Sequence, residues 1–342
     1  MFAPHVPIEF GGLGLDVRGQ AIVFEQAGRS LLGPVALNCA APDEGNMVLL
    51  ERVATEEQKQ AYLRPLAAGE LRSCFAMTEP SPGAGSDPTL LKTTASRSGG
   101  GWVVNGTKWF ITGAEGAGFT IVMAKTSERG ATMFLVDADN PGMKIERTIE
   151  TLDSGFSGGH CEVSFTDCWV SDEKILGVVD QGFALAQVRL APARLTHCMR
   201  WLGIAQRSHE FAVAYAAQRP MFGTVLGELG LGQLHIADNE IDLAASRALI
   251  WQAAWVLDRG GSAKQETSIA KTFVAEAVFR VVDRSVQLCG SLGISYDVPL
   301  AQFVREVRPF RIYDGPSESH RWSIARRIIR RSAPEQPGAK RR

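Results

Sequence analysis

Residues 101–114 read GWVVNGTKWFITGA. Val103, Val104 and Ile111, with Trp102, Trp109 and Phe110, are the β-branched and aromatic types that suit a pleated, half-buried surface. Asn105-Gly106 falls between the two apolar runs, and Asn-Gly in that setting is a strong short-range hairpin signal. The stretch therefore reads as strand, turn, strand, and it marks the middle of the chain as β structure. Beyond it, FTIVMAK (119–125), TMFLVD (132–137) and HCEVSF (160–165) continue as strands with turn residues between them. Before it lies FAMTEPSPGAGSDP (75–88), rich in small residues and glycines. Such a loop lets the backbone approach a ligand, and its N–H and hydroxyl groups suit phosphate or ring heteroatoms.

On either side the pattern turns helical. GRSLLGPVALN and TEEQKQAYLRPLAAGE read as helical pieces, with Thr55 as an N-cap. Farther on, Leu234, Ala237, Ile241, Ala244, Ala248, Trp251 and Trp255 step by three and four, one stripe of a long helix. Ala270, Val274, Ala277, Val281 and Leu288 repeat that spacing after a Gly260-Gly261 break, which argues for an antiparallel bundle. The fold expected is α+β: a shortened helical N-terminal domain (1–70), a central β-sandwich or barrel domain (71–172), a C-terminal four-helix bundle (180–332) and a basic tail (333–342).

With 342 residues, 45% apolar and a net charge of −1, the chain suits a globular protein with a large core. Its overall charge gives no pull toward nucleic acid or an anionic membrane. The six cysteines, at 39, 74, 161, 168, 198 and 289, form no CxxC pair and no zinc cluster with histidine. They read as thiols of a reducing compartment, and no signal peptide or spanning segment is visible, so a cytoplasmic protein is expected. GGLGL at 11–15 has neither the spacing nor the preceding strand of a dinucleotide fingerprint, so no nicotinamide site is expected. His197, His209, His235 and His320 are scattered and read as solvated or core residues.

Five segments taken in order resemble the acyl-CoA dehydrogenases. They are TEP…GAGSD, GTKWFITGA, Arg219-Pro-Met-Phe222-Gly223, Gln287-Leu-Cys-Gly290-Ser291 and Arg311-Ile-Tyr-Asp314-Gly315. The resemblance runs from Pro4 to about Arg327. It implies an FAD flavoprotein that desaturates an acyl-CoA thioester, passes electrons to an electron-transfer flavoprotein and forms a homodimer or homotetramer. It also implies roles. Asp314 is the base. Ser86, Arg194 and Gly315 face the substrate. Phe75, Met77, Thr78 and Ser86 line the flavin or the thioester end, and Phe110, Ile111 and Thr112 pack on the isoalloxazine. Arg219, Phe222, Gln287, Gly290 and Ser291 hold the FAD of an adjoining subunit, and Ser317 and Glu318 add FAD contacts.

The chain departs from the family pattern in five places. Ser81-Pro82 lengthens the first loop, Met221 stands where a Thr is frequent, and Phe110 replaces a Trp. Asp314 replaces the usual Glu. The chain also opens close to the Pro7-Ile-Glu-Phe10-Gly11-Gly12 element, so the family's first helices are expected to be missing. LAPARLTHCMRWLG and IYDGPSESH are most similar to a subgroup that uses Asp as base.

The chemistry implied needs a carboxylate to remove the α-proton while a hydride leaves Cβ. A carboxylate in an apolar pocket is expected to have a raised pKa, with Arg194 in a positioning role. The Asp314 N–H and a flavin hydroxyl would polarise the thioester carbonyl. Two alternatives stay open: a flavin oxidase of the same fold, similar to nitroalkane oxidases, and a non-catalytic member that binds FAD or DNA.

Overall fold

The computed structural model describes residues 2–155 and 158–332. The basic tail expected at 333–342 lies outside the described residues.

The first third is built from short helices: α1 (Val17–Ala27), α2 (Gly33–Ala36), α3 (Asp43–Val53), α4 (Glu56–Gln58), a π-helical turn (Lys59–Leu63) and α5 (Arg64–Ala68). Thr55 caps α4 in a reciprocal pair with Gln58. The helix read across GRSLLGPVALN shrinks to the four residues of α2, because Pro34 suits a helix start and little sequence follows it.

The middle third forms a sheet of eight strands: β1 (Ser73–Ala76), β2 (Thr94–Ser98), β3 (Gly101–Thr112), β4 (Phe119–Lys125), β5 (Ala131–Asp137), β6 (Met143–Thr148), β7 (His160–Ser171) and β8 (Ile175–Leu176). Their order is β6-β7-β3-β2-β4-β5-β8, with β1 alongside β4. Alternation places Phe119, Ile121, Met123, Met133 and Leu135 against the N-terminal helices. Val122, Ala124, Phe134 and Val136 go to the opposite face with Trp102, Val104, Val163 and Phe165. Both faces of β4 and β5 are thereby covered, which is why these strands read as continuous apolar runs.

The hairpin expected at Asn105-Gly106 is not there. Both residues lie inside the twelve-residue β3, and the chain reverses at Gly99-Gly100, between the paired Ser98 and Gly101. Asn105 is tied sideways to β7, where its Oδ1 accepts from Asp167 N at 2.8 Å. Gly106 sits at a register shift, and a Cβ there would meet Thr93 Oγ1 at 2.5 Å. Asn-Gly here serves a bulge and a close approach, not a turn.

The last third is helical: α6 (Gly182–Ala216), a minimal ribbon of β9 (Pro220–Met221) and β10 (Thr224–Val225), α7 (Gly230–Asp258), α8 (Lys264–Cys289), α9 (Leu300–Val307) and α10 (Ser317–Ser332). Met199, Leu202, Leu243, Ile250, Val274, Val278, Val281 and Phe310 share one core, which also takes in Phe24 of α1. The stripe Leu234–Trp255 is present on α7 but faces outward. Leu234, Ile241 and Trp255 are exposed, while Asn239, Asp242, Leu243, Ser246 and Ile250 turn inward. Among the described residues no helix is long and apolar enough to cross a membrane. The six cysteines are buried and unpaired.

Candidate active site

A cleft of about 1050 Å³ opens where the N-terminal helices, the sheet and α6 meet the segment before α10. Four elements build its walls, and each places its side chains for a local reason.

The sheet wall carries Phe75, Met77, Thr78, Trp109, Phe110 and Thr112. The register of β3 against β7 shifts between Lys108 and Ile111, and Phe110 has φ +51°. That break in alternation lets Trp109, Phe110 and Thr112 all reach the cleft. Trp109 and Phe110 meet edge to face at 4.9 Å. Ile111 does not reach it: at 1% exposure it lies in the core on the opposite face, so the expected packing of Ile111 on a flavin ring is corrected. Trp109, which the sequence reading passed over, lines the wall instead.

The loop 77–93 is held by one buried carboxylate. Glu79 accepts from Ala84 N (3.1 Å), Lys92 N (2.7 Å), Thr93 N (2.8 Å) and Lys108 Nζ (2.9 Å). Burial opposes its charge, yet Lys108 and Thr93 overcome that and bring its pKa down to about 2. Burial in turn draws Lys108 down to about 8. Thr78 Oγ1 donates to Trp109 O at 2.7 Å, which ties the loop to β3, and Ser86 lines the cleft from the loop's far end.

The third wall is one face of α6. Arg189, Ala193, His197, Arg200 and Ile204 line the cleft, spaced four, four, three and four apart. Arg189 stacks over the Phe75 ring at 4.3 Å and donates to Asn46 Oδ1 at 2.7 Å. Arg200 Nη1 donates to Cys39 O at 2.8 Å and lies 3.5 Å from Glu44. Its Nη2 reaches His197 Nδ1 at 3.2 Å.

The fourth wall is Tyr313, Asp314, Gly315 and Pro316, just before α10. Asp314 adopts φ +53°, a left-handed conformation that Gly, Asn and Asp enter most readily and that recurs at functional sites. Its carbonyl accepts from Arg194 Nε (2.9 Å) and contacts His320 Nε2 (3.1 Å). The buried Lys271 donates to the carbonyls of Phe310 (2.7 Å) and Gly315 (2.9 Å), which brackets the segment from α8. Among the described residues the Asp314 N–H has no protein acceptor.

The Asp314 side chain is 17% exposed, and its Oδ2 lies 3.2 Å from His197 Nε2. Burial alone would push this carboxyl up, the direction expected from the sequence. The contact with His197 and the charges of Arg189 and Arg194 outweigh it and hold the carboxyl below the usual range. Asp314 is therefore an anion facing an open cleft.

Of the other expected site residues, Arg194 and Gly315 line the cleft. Arg219, Phe222, Gln287, Gly290 and Ser291 do not; they are exposed, Phe222 at 91%. Glu318 is exposed and Ser317 is buried at the start of α10. His197 and Arg189, missed from sequence, share the α6 face with Arg200, and their spacing is the signal that could have found them.

Family comparisons cover nearly the whole chain. Residues 1–70 match the acyl-CoA dehydrogenase N-terminal domain, 74–168 the middle domain and 180–329 the C-terminal domain. FadE2 of Mycobacterium tuberculosis, whose name assigns it to the acyl-CoA dehydrogenases, is 39% identical over 93% of this chain and 80% of its own length. Acyl-CoA dehydrogenase family member 11 of Gallus gallus is 37% identical over 90% of this chain, which spans only 41% of that relative. The structure of butyryl-CoA dehydrogenase from Megasphaera elsdenii superposes with a TM-score of 0.87 at 27% identity, covering 96% of this chain and 86% of that one.

Proposed function

The chain belongs to the acyl-CoA dehydrogenase family, and from that premise we propose that it desaturates an acyl-CoA thioester between Cα and Cβ with Asp314 as the base. The observation that carries the reading is the Asp314 backbone. Its N–H, unclaimed among the described residues, and its ionised carboxylate sit on one residue of a cleft that Trp109 and Phe110 also line.

The cleft fits FAD on its own features. Trp109 and Phe110 offer flat apolar surface, and Thr78 presents a backbone N–H without a protein acceptor among the described residues. Arg308 Nη1, on the cleft wall, is buried without a partner among the described residues, a donor left over for an anionic or carbonyl group. The volume is at the upper end for a small-molecule site, which suits a cofactor and a substrate together. Phe75, Met77, Thr78, Ser86, Phe110 and Thr112 would hold the flavin, with Trp109 added to them. Arg219, Phe222, Gln287, Gly290 and Ser291, exposed and outside this cleft, would serve a neighbouring copy. When bound, the flavin supplies the acceptor for the hydride that leaves Cβ.

The rest is done by this chain. Asp314 takes the α-proton, and the electron pair of that C–H bond becomes the new C=C bond as the hydride departs. The charge that grows on the thioester oxygen is met by the Asp314 N–H. One preorganised donor of this kind contributes about 3–4 kcal/mol to the barrier. In the open cleft the carboxylate is a weak base. Filling the cleft removes water and raises its proton affinity toward the range a base needs. Arg194 acts on the Asp314 carbonyl and fixes where the N–H and the carboxylate point.

Anaerobic titration of the FAD-loaded protein with a panel from butyryl- to palmitoyl-CoA tests the reading. Bleaching of the flavin by at least one thioester is expected. A spectrum unchanged across the panel would overturn it. Reoxidation by an electron-transfer flavoprotein but slowly by O₂ is expected of a dehydrogenase, and fast reoxidation by O₂ of an oxidase.

A further inference from the structure

We propose that His197 is a positioning residue for the base: its Nε2–H holds Asp314 Oδ2 and leaves Oδ1 aimed at the substrate. The proposal rests on the reading of Asp314 as base.

The proton on His197 can be placed by elimination. Arg200 can only donate, so the His197 Nδ1 facing its Nη2 at 3.2 Å is an acceptor and carries no proton. Burial and the Arg200 charge keep the ring neutral near pH 7, so its one proton is on Nε2, 3.2 Å from Asp314 Oδ2. Arg200 is itself anchored at Cys39 O and stacked over the Phe24 ring. The His197 ring cannot swing freely, because Tyr313 lies at 4.9 Å and Phe310 at 6.0 Å from its centroid. A connected line of contacts thus runs from the N-terminal helices through Arg200 and His197 to the carboxylate.

That line has a purpose at Asp314. The terminal torsion of an aspartate is broad, so an untethered carboxylate samples many orientations. Of the two carboxylate oxygens, Oδ2 is the one that lies within 3.2 Å of the His197 ring nitrogen, so it is the atom the ring is placed to tether. A short base cannot search for its proton as a longer one can. A fixed carboxylate plane replaces that lost reach.

Two substitutions separate positioning from mere structure. His197→Asn keeps an acceptor near the Nδ1 position for Arg200 but cannot reach Asp314. His197→Gln places an amide N–H where Nε2 was. FAD-loaded wild type, both variants and Asp314→Asn are mixed anaerobically with the thioester that bleaches wild type fastest, and the limiting rate, the Kd and the melting temperature are read. His197→Asn is expected to lose about 10- to 100-fold in limiting rate with Kd unchanged, and His197→Gln to stay within a few-fold of wild type. Equal rates for Asn and Gln, or a loss confined to Kd, overturn the proposal. If His197→Asn fails to fold, His197→Met, of similar reach and without a donor, takes its place with the same expectations. Wild-type bleaching in Asp314→Asn overturns the base itself. A dead Asp314→Asn beside an unaffected His197→Asn removes only the role of His197.

Discussion

Arg194 Nε donates to the carbonyl oxygen of Asp314 at 2.9 Å, so the arginine grips the backbone of the base and not its carboxylate. Its charge still lowers the carboxyl's proton affinity, but its hydrogen bond orients the peptide. Arg194→Met is therefore expected to slow the limiting rate of flavin bleaching by about 10- to 100-fold, the cost of a small misplacement at a reacting group. Rapid-mixing kinetics against the same thioester checks it.

Asp314→Asn is expected to fold and to retain FAD. Asn tolerates the left-handed φ of +53° at least as well as Asp, and its amide is nearly isosteric. Loss of the proton acceptor is expected to cost about 10²- to 10⁴-fold in bleaching rate. Asp314→Glu should retain partial activity, since it keeps a carboxylate but moves it one methylene past His197. Thermal melts beside bleaching kinetics distinguish these outcomes from unfolding.

Legibility from sequence followed the range of the interaction. β4 and β5 were readable because their apolar runs reflect cover on both faces, and α8 because its stripe is buried. Asn105-Gly106 misled because local turn chemistry was overridden by the pairing of β3 with β7 over its whole length. The α7 stripe was visible, but periodicity alone does not say which face meets the core, and here polar Asn239, Asp242 and Ser246 point inward. Asp242 is satisfied there by Arg280 and Arg284. At the site, Asp314 and the loop from Phe75 were found through linear motifs. The face His197 shares with Arg200 is written in the helical spacing, but its meeting with Asp314, and the anchoring of Arg200 at Cys39, join distant parts of the chain that no local pattern connects. The sign of the Asp314 shift was missed for the same reason.

The Glu79–Lys108 pair has almost no solvent exposure, so breaking it should be costly. Lys108→Met leaves a buried carboxylate without its cation and is expected to destabilise by about 3–5 kcal/mol. Glu79 also holds three backbone N–H groups of the loop, so FAD retention should fall as well. Adding Glu79→Gln removes the stranded charge, and the double variant should be less destabilised than the two single losses summed. Denaturant melts of the three variants check this.

His5 supplies a pH dependence. Neither ring nitrogen makes a well-formed hydrogen bond among the described residues, and burial, only partly opposed by Glu44, draws the pKa down to about 4 from 6.5. The unfolded chain binds the proton first as pH falls. The neutral ring therefore contributes fully above pH 6.5 and loses that contribution between 6.5 and 4. The loss amounts to at most about 3 kcal/mol. His5→Phe should flatten this part of the stability curve. His320, held near 4 chiefly by burial, keeps a residual slope in the variant. Urea melts at several pH values from 7 to 4.5 measure both.

Leu234, Ile241 and Trp255 expose an apolar stripe along α7, a feature that marks an interaction surface. A second copy of the chain is the expected occupant, because Arg219, Phe222, Gln287 and Ser291 are also exposed and lie outside this chain's own cleft. If those residues hold a neighbour's FAD, assembly and cofactor retention must fall together. The double variant Ile241→Arg, Trp255→Arg should sediment as a smaller species than wild type. Its bound FAD should drop at the same protein concentration. The fold should survive, since neither side chain packs in the bundle core. Unchanged sedimentation would exclude α7 as the contact. A smaller species that keeps its full FAD would show that each copy holds the cofactor alone.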